Sequence, residues 1–264
     1  MDSVPRGAYQ GRHDAVPPHL PHMSGAGPIS TRNRAILLMI GAIFCFSVMD
    51  ASVKELAPRI GILPALWARY TGQMVLVLVL VAPRLRQVAR TRYPKLQILR
   101  SILLMGATAF FFTGISLIPL TDAAALLQTN PVLVTFGAAL FLGERLGLRR
   151  IGGIAAAMIG ALIVIRPGSD VFTPAALLPL IAARCYSGYA LLTRRVGADE
   201  DVWTSLFYTG LVGTVLLSLA VPFRWQEPDT TALVLMITIS LFGTVGQLLL
   251  IRAFTQGEAG MLAP

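Results

Sequence analysis

The sequence predicts an all-α integral membrane protein, a polytopic helical bundle of two inverted five-helix repeats. Of its 264 residues, 55% are hydrophobic and 13% are charged, about half the charged fraction of an average soluble domain. The apolar residues are gathered in blocks that approach the length of about 20 residues needed to cross a bilayer. The two halves of the chain also resemble each other at offsets of 136 to 140 residues.

Eight apolar blocks are predicted to be membrane-spanning helices, separated by turns that contain Pro or Gly. Residues 1–34 contain no apolar block and many Pro, Gly and His residues, so we expect a disordered tail there. The predicted spans cover residues 35–57, 62–82, 96–118, 122–142, 149–166, 174–193, 202–222 and 231–251.

The distribution of Lys and Arg predicts a cytoplasmic N-terminus. With that orientation, 15 of the 22 basic residues lie on the inner side and four on the outer side, as the positive-inside rule requires. We therefore expect a multi-pass protein of the cell inner (plasma) membrane, with the lipid bilayer as a partner. The net charge of +9 is spread over helix ends rather than one stripe, so nucleic acid is not an expected partner.

Three alignments in the same order indicate an internal duplication. They match CFS at 45–47 with CYS at 185–187, YTG at 70–72 with YTG at 208–210, and the turn at 116–131 with residues 252–264. Five helices per repeat would insert the second copy upside down, which is an architecture of alternating-access transporters.

The duplication divides the chain into a first repeat at 35–166 and a second at 174–264. Residues 252–264 are predicted to be a polar turn that leads into a ninth helix, as the turn at 116–131 leads into the fourth span. Because the sequence stops there, we expect the last two helices to be missing from this chain. A non-transporting membrane fragment is therefore the alternative to a transporter.

The stretch PLTDAAALLQTNPVLVTFGAALFLGERL at 119–146 and the following IGGIAAAMIGALIVIRPG resemble the repeat signature of the drug/metabolite transporter superfamily. The similarity is to its EamA-type ten-helix members. It implies a secondary active transporter of a small organic metabolite that works by alternating access. The subgroup that the sequence resembles implies S-adenosylmethionine or riboflavin as substrate, and an amino acid is the other option in the family.

Charged residues inside a bilayer are costly, so each one requires a reason. Arg69 or Arg184 is predicted to bind a carboxylate or phosphate of the substrate, because a planar guanidinium suits both groups. For Arg69, a structural clamp that pairs with backbone carbonyls is the alternative. Asp50 is predicted either to pair with Arg69 beside a cavity or to bridge to Lys54 at i,i+4 on its own helix. Asp50 and Lys54 are the candidates for ion coupling.

Polar and aromatic residues extend the candidate site. Gln128 and Asn130 precede Pro131 in the fourth span, where a proline frees a backbone carbonyl and favours a bent helix that lines a cavity. A kink that only improves packing is the alternative. Tyr186 and Tyr189 are predicted to stack on a ring of the substrate.

Other functions receive little support from the sequence. The predicted spans contain no histidine and few acids, which disfavours a membrane-embedded enzyme, and the sequence contains no P-loop. We expect no cofactor and no metal. The partners expected are a small-molecule substrate, a proton or exchange partner that drives transport, and a second copy of the chain in a homodimer.

Overall fold

The computed structural model describes residues 31–127, 129–130, 133, 152, 155–156, 159, 173–197 and 199–261. Its helices are α1 (Thr31–Ile60), α2 (Ile62–Val81), α3 (Pro94–Leu117), α4 (Leu120–Leu127), α5 (Leu177–Gly197), α6 (Val202–Ala220) and α7 (Thr230–Met261). A helical turn at Leu85–Val88 lies between α2 and α3.

The all-α membrane class is confirmed. Six helical segments of the described chain are long and apolar enough to cross a membrane. They correspond to the first three and the last three of the eight predicted spans. Only the first part of the fourth span is described, as α4, and most of the fifth lies outside the described residues. The six segments are Asn33–Ile60, Ile62–Val88, Pro94–Leu117, Pro174–Gly197, Val202–Arg224 and Thr230–Phe254.

The described helices expose apolar side chains, and their interior combines an apolar core with a set of buried polar side chains. Exposed apolar side chains follow helical spacing on α1, at Ile36, Ile40 and Ile43, and on α7, at Val234 and Ile237. Buried polar side chains lie on the facing sides of α2, α3, α5, α6 and α7, among them Gln73, Arg100, Ser187, Thr209 and Gln247. A helix surface of this kind is stable against lipid, where the hydrogen bonds must be made within the protein.

Two turns show how the sequence positions the helices. Gly61 is the single residue between α1 and α2, and its φ of 81° lies in the region that glycine adopts readily. Ile118 ends α3 in an extended conformation, with φ −125° and ψ 163°, because the following Pro119 disfavours helical geometry in the residue before it. Both links are so short that α1 and α2, like α3 and α4, run antiparallel.

Two boundaries differ from those predicted. Residues 31–34, assigned to the disordered tail, form the first turn of α1. The turn predicted within residues 252–264 is wrong as far as Met261, because α7 continues to that residue. At the offset of 136, Pro119 falls on Thr255. Threonine keeps the backbone N–H that proline lacks, so the chain can remain helical there.

The helix packing follows the internal duplication. The most extensive pairs are α1 with α7, α3 with α5, α2 with α6, α2 with α7, and α3 with α6. Exchanging α1 with α5, α2 with α6 and α3 with α7 maps this set onto itself. The helices α2 and α6 also both end in a proline-containing 3-10 turn, Ala82–Arg84 and Val221–Arg224. An inverted duplication predicts this pattern of pairs.

Candidate functional site

Two groups of buried polar side chains divide the interior, one towards each end of the bundle. We call the ends the Arg59 end, which contains the α1–α2 turn, and the Glu200 end, which contains the α5–α6 turn. The group nearer the Arg59 end includes the buried Arg69 and the half-buried Asp50, whose Oδ1 atom is buried. The group nearer the Glu200 end includes Arg100.

Arg69 on α2 is buried against α1, with 2% of its surface exposed. Its Nε lies 3.3 Å from Met49 Sδ, and its guanidinium carbon lies 4.7 Å from the centre of the Tyr70 ring. Its Nη1 is buried without a hydrogen-bond partner. A guanidinium with an unused donor in an apolar bundle is suited to bind an anionic group that enters the interior.

Asp50 lies next to Met49 on α1, and its Oδ1 is also buried without a partner. Arg69 contacts the neighbouring residue Met49, yet it forms no salt bridge with the Asp50 carboxylate. The structure therefore brings the two predicted residues near each other without joining them.

Lys54 makes different contacts from those considered in the sequence. Its Nζ donates to the carbonyl oxygens of Ile115 and, at 2.9 Å, of Ile118. These carbonyls end α3, where a positive charge is favourable. The i,i+4 bridge from Lys54 to Asp50 is absent from the described structure, because the ammonium group lies at the end of α3 instead.

Tyr70 connects the Arg69 region to α3. Its hydroxyl lies 3.1 Å from Thr108 Oγ1, and its ring packs on Gly213 of α6, where an added Cβ would lie 2.4 Å from ring atoms. Close approach of α2 and α6 at this point requires the missing side chain of glycine.

Arg100 is a functional candidate that the sequence analysis missed. It is one of the 15 basic residues assigned to the inner side, but it lies six residues into α3, about 9 Å from the start of that helix, and is fully buried. Its Nη2 donates to Ser205 O at 2.6 Å and Thr209 Oγ1 at 3.2 Å, and its Nη1 donates to Thr193 Oγ1 at 3.4 Å. Arg100 thereby joins α3 to α5 and α6.

A helical pattern in the sequence could have identified Arg100. The buried positions of α3 recur every three or four residues, at Gln97, Arg100, Leu104, Thr108 and Phe111. Arg100 falls within that series and inside the predicted span 96–118, so the sequence alone could have placed it on the same helix face as Gln97 and Thr108.

Tyr189 lies at the centre of the group nearer the Glu200 end. It is fully buried, its ring centre lies 5.5 Å from the guanidinium carbon of Arg100, and its hydroxyl accepts a hydrogen bond from Gln247 Nε2. Tyr186 packs beside it, with ring centres 5.6 Å apart. Of the predicted aromatic pair, Tyr189 is inside the bundle and Tyr186 is half-buried.

Asn130 contacts α5 next to Tyr186, with its Oδ1 2.5 Å from Ser187 Oγ. Gln128 lies outside the described residues.

Arg184 has an exposed side chain, so the structure does not bring it into the polar interior with Arg69. Residue 184 falls on Phe44 at the offset of 140, and Phe44 is likewise 64% exposed.

Polar contacts close the Glu200 end. The Glu200 carboxylate accepts hydrogen bonds from Thr91 Oγ1 at 2.5 Å, Arg92 N at 2.7 Å and Gln97 Nε2 at 2.9 Å. A cavity of about 360 Å³ lies there, lined by Gln87, Arg90, Thr91, Arg92, Asp199, Glu200, Asp201 and Thr204. At the other end, Arg59 bridges Glu55 at 2.8 Å and Asp229 at 3.3 Å.

Comparison with known proteins identifies the family. The EamA-like transporter family matches residues 33–166 and 173–264. The chain belongs to this family. A crystal structure matches with a TM-score of 0.65 and 19% sequence identity, over 84% of this chain and 78% of the chain in that structure. This similarity supports the fold alone.

The similar curated proteins are named as transporters. A riboflavin transporter of Rhizobium johnstonii is 31% identical over 66% of this chain, which spans 58% of that protein. The pseudopaline exporter CntI of Pseudomonas aeruginosa is 29% identical over 86% of this chain and 81% of its own. An S-adenosylmethionine uptake transporter of Rickettsia bellii is 24% identical over 83% of this chain and 75% of its own. All three relatives are named as transporters, which agrees with the expectation that this chain is not an enzyme.

Proposed function

We propose that this EamA-family chain is a secondary active transporter that moves a small organic metabolite across the inner (plasma) membrane by alternating access. The observation that carries the proposal is the polar interior between α1, α2, α3, α5, α6 and α7, in which Asp50 Oδ1 and Arg69 Nη1 have no partner. Buried charges in a membrane bundle are costly unless they serve a ligand or an ion pathway. The names of the similar proteins support the transport class.

The two halves of the bundle are the proposed moving parts. The helix pairs map onto themselves when α1–α3 are exchanged with α5–α7, as expected for two inverted repeats of five helices. The substrate would bind between them, near Arg69, Asn130, Tyr186 and Tyr189. Rocking of one repeat against the other would open the Arg59 end and the Glu200 end in turn.

Orientation, coupling and assembly complete the proposal. The 15 basic residues assigned to the inner side support a cytoplasmic location for the N-terminus and the Glu200 end. Asp50 is the proposed coupling residue, for a proton or an exchanged solute. Gly152 and Ala156, which are exposed in the part of the chain that the structure describes, offer a small-residue surface for a homodimer.

Uptake into proteoliposomes tests the function. The purified chain is reconstituted and supplied with labelled riboflavin or S-adenosylmethionine, with and without an imposed proton gradient. We expect saturable accumulation of one of them, reduced at least tenfold by Tyr189→Ala. A folded chain that moves neither compound faster than empty liposomes, even by exchange with preloaded compound, would contradict the proposal.

A further inference from the structure

We propose that residues 82–95, which we call the basic loop, form a binding surface for the head groups of anionic phospholipids. The basic loop joins α2 to α3 at the Glu200 end and contains no acidic residue. Its five cations are Arg84, Arg86, Arg90, Arg92 and Lys95. This inference goes beyond the transport function and does not depend on the substrate.

The internal duplication shows that this charge belongs to one repeat alone. At the offset of 138, residues 82–91 align with residues 220–229, and both segments include a proline-containing 3-10 turn. The second segment contains one arginine, Arg224, and two acids, Glu227 and Asp229. The connection between the helices can therefore be made without a basic sequence, and the cations of the basic loop require a separate explanation.

The basic loop has a fixed shape, although it connects two helices at the surface. Val88 is 2% exposed and packs in an apolar cluster with Leu206 of α6. The carbonyl oxygen of Ala89 accepts a hydrogen bond of 3.0 Å from the Tyr208 hydroxyl. A loop held in this way can bind a ligand without first paying the entropic cost of becoming ordered.

The cations of the basic loop have no salt-bridge partner within the described residues. The two salt bridges found there both involve Arg59, at the opposite end. The acids nearest to the loop are held by uncharged donors instead. Asp199 accepts from the Tyr93 hydroxyl, and Glu200 accepts from Gln97, a threonine hydroxyl and a backbone N–H. The positive groups of the loop are therefore available to an external anion.

Two of the five cations lie near these acids, and three do not. Arg90 and Arg92 line the same cavity as the acids between α5 and α6. Arg84, Arg86 and Lys95 are exposed and lie outside the lining of that cavity. These three side chains carry the charge that an external anion would neutralise.

Each end of the basic loop continues into an apolar helix face. On α3, the side chains at i+3, i+4 and i+7 from Lys95 lie on its face of the helix and are apolar and exposed. They are Ile98, Leu99 and Ile102, with 44%, 47% and 42% of their surface exposed. On α2, Leu80 is 60% exposed and lies four residues before Arg84. A phospholipid has the same order along its length, because its phosphate is followed by apolar chains.

A lipid phosphate is the anion that this arrangement favours. Guanidinium groups bind phosphate through paired hydrogen bonds, and clusters of Lys and Arg next to a membrane span attract anionic head groups of the cytoplasmic leaflet. A free phosphate ion would use the cations and leave the apolar faces unused. The positive-inside rule explains the sign of the loop charge during insertion, but it requires no lipid preference in the folded protein.

Lipid binding to the purified full chain in detergent tests the proposal. The probes are phosphatidylglycerol and phosphatidylcholine with the same fluorescent acyl chain. We expect phosphatidylglycerol to bind at least tenfold more tightly, and the double substitution Arg86→Gln and Lys95→Gln to reduce this preference at least fivefold. The matched control, Arg195→Gln with Arg224→Gln, also removes two exposed cations and should leave the preference within twofold. Elution profiles should show that all variants are folded.

Three results would overturn the inference. One is equal affinity of the unmodified chain for the two lipids. Another is a preference that survives the double substitution in the basic loop, or that falls as far in the control. The third is a preference that inorganic phosphate abolishes when chloride at the same ionic strength does not, since this would assign the cations to free phosphate.

Discussion

Tyr93, immediately before α3, donates a hydrogen bond of 3.1 Å to Asp199, which follows α5. At the opposite end, Arg59 in the last turn of α1 lies 3.3 Å from Asp229, immediately before α7. At the repeat offset of 140, Arg59 aligns with Asp199, and at the offset of 136, Tyr93 aligns with Asp229. The two links therefore occupy equivalent positions, and each ties one predicted repeat to the other. We expect each link to close its own end of the bundle.

Glu200 strengthens the link at its end, so Glu200→Ala should open that end. The substitution removes the acceptor for Thr91, the Arg92 backbone and Gln97. The measurement is the rate at which a membrane-impermeant thiol reagent, applied from the Glu200 side, modifies Thr204→Cys in a chain without Cys45 and Cys185. Thr204 lines the cavity and is 3% exposed, so we expect a rate increase of several-fold.

The control for this experiment is Glu227→Ala, which removes an exposed acid at the Arg59 end and should not change the rate. A Glu200→Ala rate equal to that of the unmodified chain would show that the carboxylate does not hold the Glu200 end closed.

Arg100→Met should destabilise the protein because it removes three hydrogen bonds that link α3 to α5 and α6. The carbonyl of Ser205 and the hydroxyls of Thr193 and Thr209 lose the bond that Arg100 donates, and breaking hydrogen bonds to a buried charged group costs about 2 kcal/mol. We expect a lower thermal midpoint in detergent. Arg195→Met, on the exposed surface of α5, is the matched control. Equal midpoints for the two variants would contradict the role of Arg100 as a three-helix link.

Gly213→Ala should disturb the site from the neighbouring helix. A Cβ at Gly213 would lie 2.4 Å from atoms of the Tyr70 ring, so the ring and α6 must shift apart, at a cost of about 1–3 kcal/mol. Gly106→Ala on α3 is the control, because a Cβ there would lie 3.7 Å from Cys185 Sγ, an ordinary contact. We expect Gly213→Ala to lower both the thermal midpoint and substrate binding. If it behaves as Gly106→Ala does, α2 and α6 are not in close contact at Tyr70.

The proposed orientation can be measured with single cysteines in exposed segments. Glu227→Cys, near the Arg59 end, should react with an impermeant reagent added to intact cells, and Arg92→Cys should react only after the membrane is opened. Both side chains are exposed in the structure. The opposite labelling pattern would reverse the orientation predicted by the basic residues.

Much of the fold is predictable from the sequence because bilayer thickness and helix breakers act locally. The spans at 62–82, 96–118 and 202–222 lie within a few residues of the helices, and Pro119 ends α3 where a proline should. The continuous α7 was missed because a polar segment resembled a turn by alignment, although Thr255 lacks the geometry that makes Pro119 a breaker. An alignment of the two repeats therefore predicts similar side chains better than it predicts a helix break that depends on proline.

The site was less predictable because side-chain direction depends on packing between distant helices. The sequence predicts Asp50 and Arg69 as a possible pair, and the structure brings them near each other through the contact of Arg69 with Met49. The sequence does not distinguish Arg69, which faces α1, from Arg184, which is exposed, since both are single arginines in apolar spans. The contact of Lys54 with the α3 carbonyls joins residues more than 60 positions apart, beyond the reach of an i,i+4 argument.

The most direct test of the interior site compares two arginines in the same transport assay. Arg69→Gln and Arg184→Gln each remove one guanidinium from a membrane-spanning helix, but Arg69 is 2% exposed beside Asp50 and Arg184 lies on the exposed surface. With equal amounts of folded protein in proteoliposomes, we predict at least a tenfold loss of the initial uptake rate for Arg69→Gln and a change of less than twofold for Arg184→Gln. Equal rates for the two variants, or a greater loss at Arg184, would contradict a substrate site that includes Arg69.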